Sequence, residues 1–263
     1  MRIVTACVSA VLAVLTMTGC SALKNVNTAR ALQAGVTALS AASITDAQVM
    51  EMSRQSMVQT DAQNTIAPAG SPYTQRLARL TSGLTHYGGL DLNFKVYLTP
   101  DVNAFASGDG SVRVFSGLMD VMDDDQLMAI IGHEIGHVAH RDTKDAMKNA
   151  YINAAAREAV GAVGGTIGQL SDSTLGDIAE TYLGARYSQK QENEADDYGF
   201  GFTVDNKRDP YAMARSMETL MKLSGSSGSS GSGLLQAFSS HPDTAAREAR
   251  MKAKADAYVA AGK

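Results

Sequence analysis

A chain of 263 residues, 44% of them hydrophobic, is long enough for one sizeable catalytic domain and apolar enough to build its core. Its 23 basic residues are outnumbered by 27 acidic ones, for a formal net charge of −4, and it has no Trp, 9 Tyr and 6 Phe. A nucleic-acid binder is thereby excluded: there is neither a basic footprint nor a run of aromatic stacking platforms.

Residues 1–19 have the form of an export signal. Met1 and Arg2 make a short positive start, and residues 3–18 are apolar or small and uncharged, a length that suits a secretory signal better than a membrane span. Met17, Thr18, Gly19 and Cys20 then resemble the lipobox of bacterial lipoproteins, in which the cysteine thiol takes a diacylglyceryl thioether. With Cys7 in the part removed and Cys20 carrying lipid, neither of the 2 cysteines is left to pair, so the mature domain must rely on its core and any bound metal. Several acyl chains on Cys20 give a stable anchor where one is marginal. In a Gram-negative host, Ser21 directs such a lipoprotein to the outer membrane, facing the periplasm. Residues 20–43, rich in Ala, Ser, Thr and Asn, read as the lipidated tether, and 44–263 as the catalytic domain.

Within that domain Thr45 and Asp46 open a helix with a rough apolar stripe through Val49, Met50, Met52 and Met57. Pro68, Gly70 and Pro72 mark a loop, and Leu77, Leu80 and Leu84 predict an amphipathic helix over 73–87. Residues 92–98 alternate like a strand, and two more short strands, 102–106 and 111–115, flank a hairpin turn at Gly108, Asp109 and Gly110. From 117 the pattern is helical: Asp123 and Gln126 form a capping box ahead of Leu127, Ile130, Ile131, Ile135 and Val138. Residues 150–186 are rich in Ala and Gly and read as close-packed helices, with Arg157, Glu158, Asp172 and Asp177 excluding a membrane span. Helices over 188–204, 210–223 and 244–258 follow, with a Gly/Ser loop at 224–233. The expected class is α+β and mostly helical, a zincin-type domain with a small sheet beside its metal-binding helix.

The chemistry is concentrated in His133, Glu134 and His137, an H-E-x-x-H motif inside a helical apolar pattern. Residues four apart lie one turn apart on one helix face, so the two imidazoles can grip one ion, and zinc accepts such nitrogens at about 2.0–2.1 Å. Glu134, about 100° around the axis, stands beside the ion, placed to take a proton from water. Gly132 and Gly136 cost helix stability and bare one flank for close approach. A catalytic zinc needs a third protein ligand. The metzincin solution would require Gly at 140 and His at 143; this chain has His140 and Thr143, and His140 lies too far along the axis to share the ion with His133. A downstream carboxylate is the better candidate. Glu192 and Asp196 share a helix face, with Glu194 turned away, and suit one ligand plus one carboxylate that fixes a histidine ring.

Together, His133, Glu134 and His137 followed by Ser188, Glu192, Ala195 and Asp196 resemble the gluzincin metallopeptidases of the HtpX and CAAX-prenyl-protease type, and the likeness extends over roughly 44–250. Asn103, Ala104 and Phe105, with the strand through Val112 and Val114, resemble the strand pair before the active helix in soluble periplasmic members. The resemblance implies one Zn²⁺ per chain held by His133, His137 and Glu192, with Asp196 supporting a histidine. Gln189 departs from the Arg of many members and leaves the ligands intact. His241, Pro242 and Arg247 resemble the family's H-P-x-x-x-x-R element. This implies that His241 lies near the zinc, stabilising the oxyanion or filling the open metal position in a latent state, and that Arg247 holds the substrate carbonyl or a carboxylate. The strand around Asn103, Ala104 and Phe105 is expected to pair with the substrate backbone, which favours extended chains. The expected activity is a zinc endopeptidase, held to the membrane by its lipid, acting on unfolded or misfolded envelope proteins and working beside envelope-assembly partners. The rival is a chaperone-like lipoprotein with little turnover.

Overall fold

The computed structural model describes residues 45–158, 178, 180–181, 184–226, 241 and 244–262. The signal, Cys20 and the tether, much of the Ala/Gly-rich stretch, most of the Gly/Ser loop and Pro242 lie outside them. Among the described residues no helix is long and apolar enough to cross a membrane.

The fold is α+β and mostly helical. Helix α1 (Asp46–Gln63) starts at Thr45, whose hydroxyl accepts the Gln48 N–H while the Gln48 side chain returns to the Thr45 backbone. Its buried face differs from the expected stripe: Val49, Met52 and Met57 are inward with Ser53, Ser56 and Thr60, while Met50 is 57% exposed. Helix α2 (Pro72–Leu80) begins at a Ser71 cap with proline in its first turn. It stops at Leu80 rather than continuing to 87, because Thr81 caps it and Gly83 adopts φ +82. The chain then turns back through a hairpin of β1 (His86–Tyr87) and β2 (Leu90–Asp91) around Gly88 and Gly89, both at positive φ.

The main sheet has three strands, β3 (Asn93–Tyr97), β4 (Ala104–Ala106) and β5 (Ser111–Phe115), in the order β3–β5–β4. β3 runs parallel to β5, with Val96 opposite Val114; β4 runs antiparallel, with Phe105 opposite Arg113. The turn between β4 and β5 needs Gly110, at φ +82, where a Cβ would meet the Asp91 carbonyl. α3 (Ser116–Val121) leads into α4 (Asp124–Ala139), which opens with the expected Asp123–Gln126 capping box. His140 caps α4 and Arg141, at φ 66, turns the chain into α5 (Asp142–Glu158). α6 (Gln189–Asp205), α7 (Ala212–Ser226) and α8 (Thr244–Ala260) complete the described elements.

Three apolar clusters hold these together. One lies between the sheet, α2 and α4, around Val96, Val112, Val114, Leu127 and Ile131. A second packs α1 and α5 on the back of β4 through Met52, Phe105 and Met147. The third joins α6, α7 and α8 through Phe200, Met213, Met217 and Met251. α4 and α6 form the most extensive helix pair. Their backbones meet where side chains vanish: a Cβ on Gly199 would lie 2.9 Å from the His133 nitrogen, and one on Gly136 would lie 3.0 Å from the Ala195 Cα. A Cβ on Gly132 would lie 2.6 Å from the Phe202 ring, so both bared positions in the motif, Gly132 and Gly136, have a steric reason.

Candidate metal centre

α4 presents His133 and His137 on one face, and their Nε2 atoms stand 3.1 Å apart in a buried setting. α6 brings Glu192 against them, its Oε2 3.6 Å from His133 Nε2 and its Oε1 3.7 Å from His137 Nε2. His241 adds Nδ1 at 3.3 Å from His133 Nε2 and 2.8 Å from Glu192 Oε1. One ligand atom from each of His133, His137, Glu192 and His241 falls within 4.8 Å of the other three. Asp196, one turn beyond Glu192, points at the outer nitrogen of His133, with Nδ1 and Oδ1 2.9 Å apart. Glu194, on the other face, meets Lys190 at the surface.

The donor set fits a cation on its own chemistry. His137 Nδ1 faces Asp142 Oδ2 at 2.8 Å, as His133 Nδ1 faces Asp196. The carboxylate of Asp142 accepts from His137, which assigns that ring's proton to Nδ1 and leaves a lone pair on its Nε2; Asp196, 2.9 Å from His133 Nδ1, favours the same tautomer there without completing a hydrogen bond. Two lone pairs facing each other at 3.1 Å, with a carboxylate beside them, repel unless a positive ion sits among them. Tetrahedral donors about 2.0–2.1 Å from zinc stand roughly 3.4 Å apart, and the nearest approaches among these three groups are 3.1, 3.6 and 3.7 Å. Burial drives the pKa of both His133 and His137 down, which keeps the imidazoles neutral as ligands must be.

The surrounding groups fix this arrangement. Arg247 on α8 donates from Nε to Asp196 Oδ2 at 2.9 Å and from a terminal nitrogen to Oδ1 at 2.6 Å, and it meets Glu192 Oε2 at 2.5 Å. Of the two expected partners, carbonyl or carboxylate, the structure supplies carboxylates. Burial pushes Glu192 up, but the hydrogen bond from His241 and nearby positive charge hold it at about 2. Burial also works upward on Asp196, and the Arg247 fork with His133 carries it well below the usual carboxylate range. His241 runs the other way: burial opposes its charge, yet Glu192 and Glu134 raise its pKa. Glu134 is nearly buried and its pKa is raised, chiefly by desolvation; its Oε1 is 3.7 Å from His241 Nε2.

Two residues that hold the centre escaped the sequence reading. Asp142 accepts from His137 and, at 2.9 Å, from Gln191, tying the start of α5 to the start of α6. Tyr187 stacks on the His137 ring, centroids 3.9 Å apart and planes 17° apart. His140 meets Tyr198 edge-on at 5.9 Å and packs rather than joining the donors, as its axial position implied. Asn103 and Ala104 line a cavity with about 40 Å³ of free space in front of Glu134, together with Ile130, Met213 and Met217. Phe105, from the same strand, turns the opposite way onto Tyr97 and Phe115, so its side chain is not part of that cavity.

Comparison with known proteins agrees with this geometry. Residues 73–255 match peptidase family M48. Metalloprotease YcaL of Escherichia coli K12 is 38% identical over 249 residues, 94% of each chain, and metalloprotease LoiP of the same strain is 40% identical over 232 residues, 88% of each chain. Protease HtpX of Xanthomonas oryzae pv. oryzae PXO99A is 28% identical over 188 aligned residues, covering 60% of this chain and 64% of the relative. The motif pair on α4 and α6, the converging donors and these matches together establish that the chain belongs to peptidase family M48 and is a zinc-dependent metalloprotease.

Proposed function

We propose that this chain is a lipid-anchored endopeptidase of the cell envelope that hydrolyses unfolded or misassembled envelope proteins, with His133, His137 and Glu192 holding zinc and Glu134 acting as base. The observation that carries the reading is the cavity itself. Glu134 and His133 open onto a pocket walled by Leu118, Ile130, Met213, Met217 and Leu220, with Asn103 and Ala104 along one side. Such a pocket takes an apolar side chain, and apolar side chains are what an unfolded chain exposes and a folded one hides. β4 lies at the end of the sheet order, where an extended peptide can run beside it.

When bound, zinc polarises a peptide carbonyl and lowers the pKa of a water toward about 7. The chain's own groups do the rest. Glu134, desolvated and raised in pKa, accepts the proton of the attacking water and returns it to the leaving amine. His241, whose pKa is raised by its two glutamate neighbours, is placed to offset negative charge on the carbonyl oxygen. Asp196 and Asp142 hold the two imidazoles in one tautomer, and Arg247 holds Asp196 and Glu192. Anchoring rests on Cys20 and its lipobox-like context, and outer-membrane placement on Ser21.

Glu134→Gln is expected to lower peptide hydrolysis by about 10²–10⁴-fold with zinc content unchanged. Casein digestion that survives a zinc chelator would remove the zinc-peptidase reading. A Glu134→Gln variant that still complements a deletion strain would move the cellular role to the chaperone-like alternative. Metabolic labelling with palmitate, lost in Cys20→Ser, tests the anchor.

A further inference from the structure

The donor cluster is flanked by a second cavity that the hydrolytic reading leaves without a task. It is a more open groove of about 340 Å³ on the far side of His137. It begins where the centre ends. Tyr187, one of its walls, stacks on His137 and lies 5.8 Å from the His241 ring, and Asp142 and Gln191, two more, are the pair that holds His137 from behind. We propose that this groove is a second side-chain subsite, on the opposite side of the scissile bond from the apolar pocket, and that it takes a basic side chain of the substrate. The proposal rests on the peptidase reading of the same centre.

The reach is right. An extended peptide advances about 3.3 Å per residue and sends alternate side chains to opposite faces. Glu134 Oε1 lies 3.7 Å from His241 Nε2, and the His241 ring lies 5.8 Å from Tyr187, so a chain whose reacting carbonyl lies at Glu134 reaches Tyr187 within two or three residues. The chemistry differs from that of the first pocket. There the walls are Leu, Ile and Met; here they include Asp142, Asp145, Asn149, Thr181 and Gln191. Both oxygens of Asp142 are already engaged, by His137 and Gln191. Asp145 is exposed and makes no ion pair among the described residues, so its carboxylate faces the groove available to a cation. Among the described residues of the lining, the exposed Arg186 is the single cation against two aspartates. An ammonium or guanidinium group entering here finds an uncommitted carboxylate and neutral oxygen acceptors around it.

The test uses the full-length, zinc-loaded protein in detergent and quenched fluorescent peptides of one sequence. Each carries an apolar residue on one side of the cleaved bond and Lys, Gln or Glu at each of the three positions on the other side. At one of those positions Lys is expected to exceed Glu in kcat/KM by about fivefold, the size of one exposed ion pair. Asp145→Lys is expected to erase or invert that ratio, and Arg186→Gln to increase it. Opposite movements of the same ratio cannot come from a general loss of folding. Equal rates for Lys and Glu at all three positions, or a preference unmoved by Asp145→Lys, would overturn the subsite. Failure of the underlying reading looks different: the Gln peptide would then go uncleaved, or would be cleaved equally by Glu134→Gln.

Discussion

Two seams hold this molecule together, and they are built in opposite ways. Where α4 meets α6, backbones approach through Gly132, Gly136 and Gly199, and the space is closed to a Cβ by Phe202, by Ala195 and by the backbone nitrogen of His133. Where α1 meets the sheet, contact is made by long side chains, Met52 and Met57 on Tyr97 and Phe105. The first seam buries His133, His137, Glu134, Glu192 and Asp196, with the buried Arg247 of α8 laid against it. The second buries one organised cation, Arg113, which donates from Nε to Asp61 at 2.8 Å and from a terminal nitrogen at 3.1 Å. It also leaves the Ser53 and Ser56 hydroxyls buried without a hydrogen-bond partner among the described residues. A seam that must place ligand atoms to a fraction of an ångström uses backbone against backbone, while one that only has to close uses adaptable side chains.

The comparison can be broken most severely at Arg247. Its replacement by Ala removes the main cation from the buried Asp196 and Glu192, which keep only His133, His241 and the more distant Arg250, an expected loss of about 3 kcal/mol with lowered zinc content, read by denaturant melts and metal analysis. Arg247→Lys, which keeps the charge but not the fork, is expected to recover only part of it. On the other seam, burial raises the Asp61 carboxyl, but the bonds from Arg113, Lys95 and Tyr97 bring it down to about 2. A depressed folded pKa means that this stability is present in full above the unfolded value of about 3.9. It is lost as pH falls through the folded value near 2. Asp61→Asn should therefore flatten the melting profile between pH 4 and 2, by about 1–2 kcal/mol after solvent screening. Gly199→Ala sets overpacking of about 1–3 kcal/mol against about 1 kcal/mol of improved helix propensity, a net loss of about 1 kcal/mol, with zinc affinity falling because His133 is displaced. Ser53→Ala and Ser56→Ala each remove a buried hydroxyl that has no partner among the described residues, so they should leave stability unchanged or raise it by about 1 kcal/mol; a large loss would show that the second seam is as exacting as the first.

The sequence was most legible where local rules act alone. The Asp123–Gln126 capping box placed one helix start, and the structure adds capping boxes at Thr45 and Ser188, each with glutamine three residues on, at two helix starts read only approximately. The i, i+4 spacings set His133 with His137 one turn apart on α4 and Glu192 with Asp196 one turn apart on α6. What stayed hidden depends on how the chain returns in space. Parallel pairing of β3 with β5 is a matter of topology, and Tyr187 is tied to His137 only through the fold. The β1–β2 hairpin did carry a signal, Gly88 and Gly89 between short apolar runs, overridden by reading Leu84 as a third helical turn. Asp142 has no motif of its own: nothing about an aspartate five residues beyond His137 says that it will face it.

That last pairing turns on Arg141. Held at φ 66, it reverses the chain immediately after α4, so that the carboxylate steadying His137 is supplied from just past the bend. Because successive helical side chains are set about 100° apart, one residue added to this elbow would aim Asp142 elsewhere while leaving H-E-x-x-H intact on paper. The link between His140 and Asp142 is thus a spacer whose length matters more than its lettering, and deletions or insertions there should be rejected even where point changes are accepted.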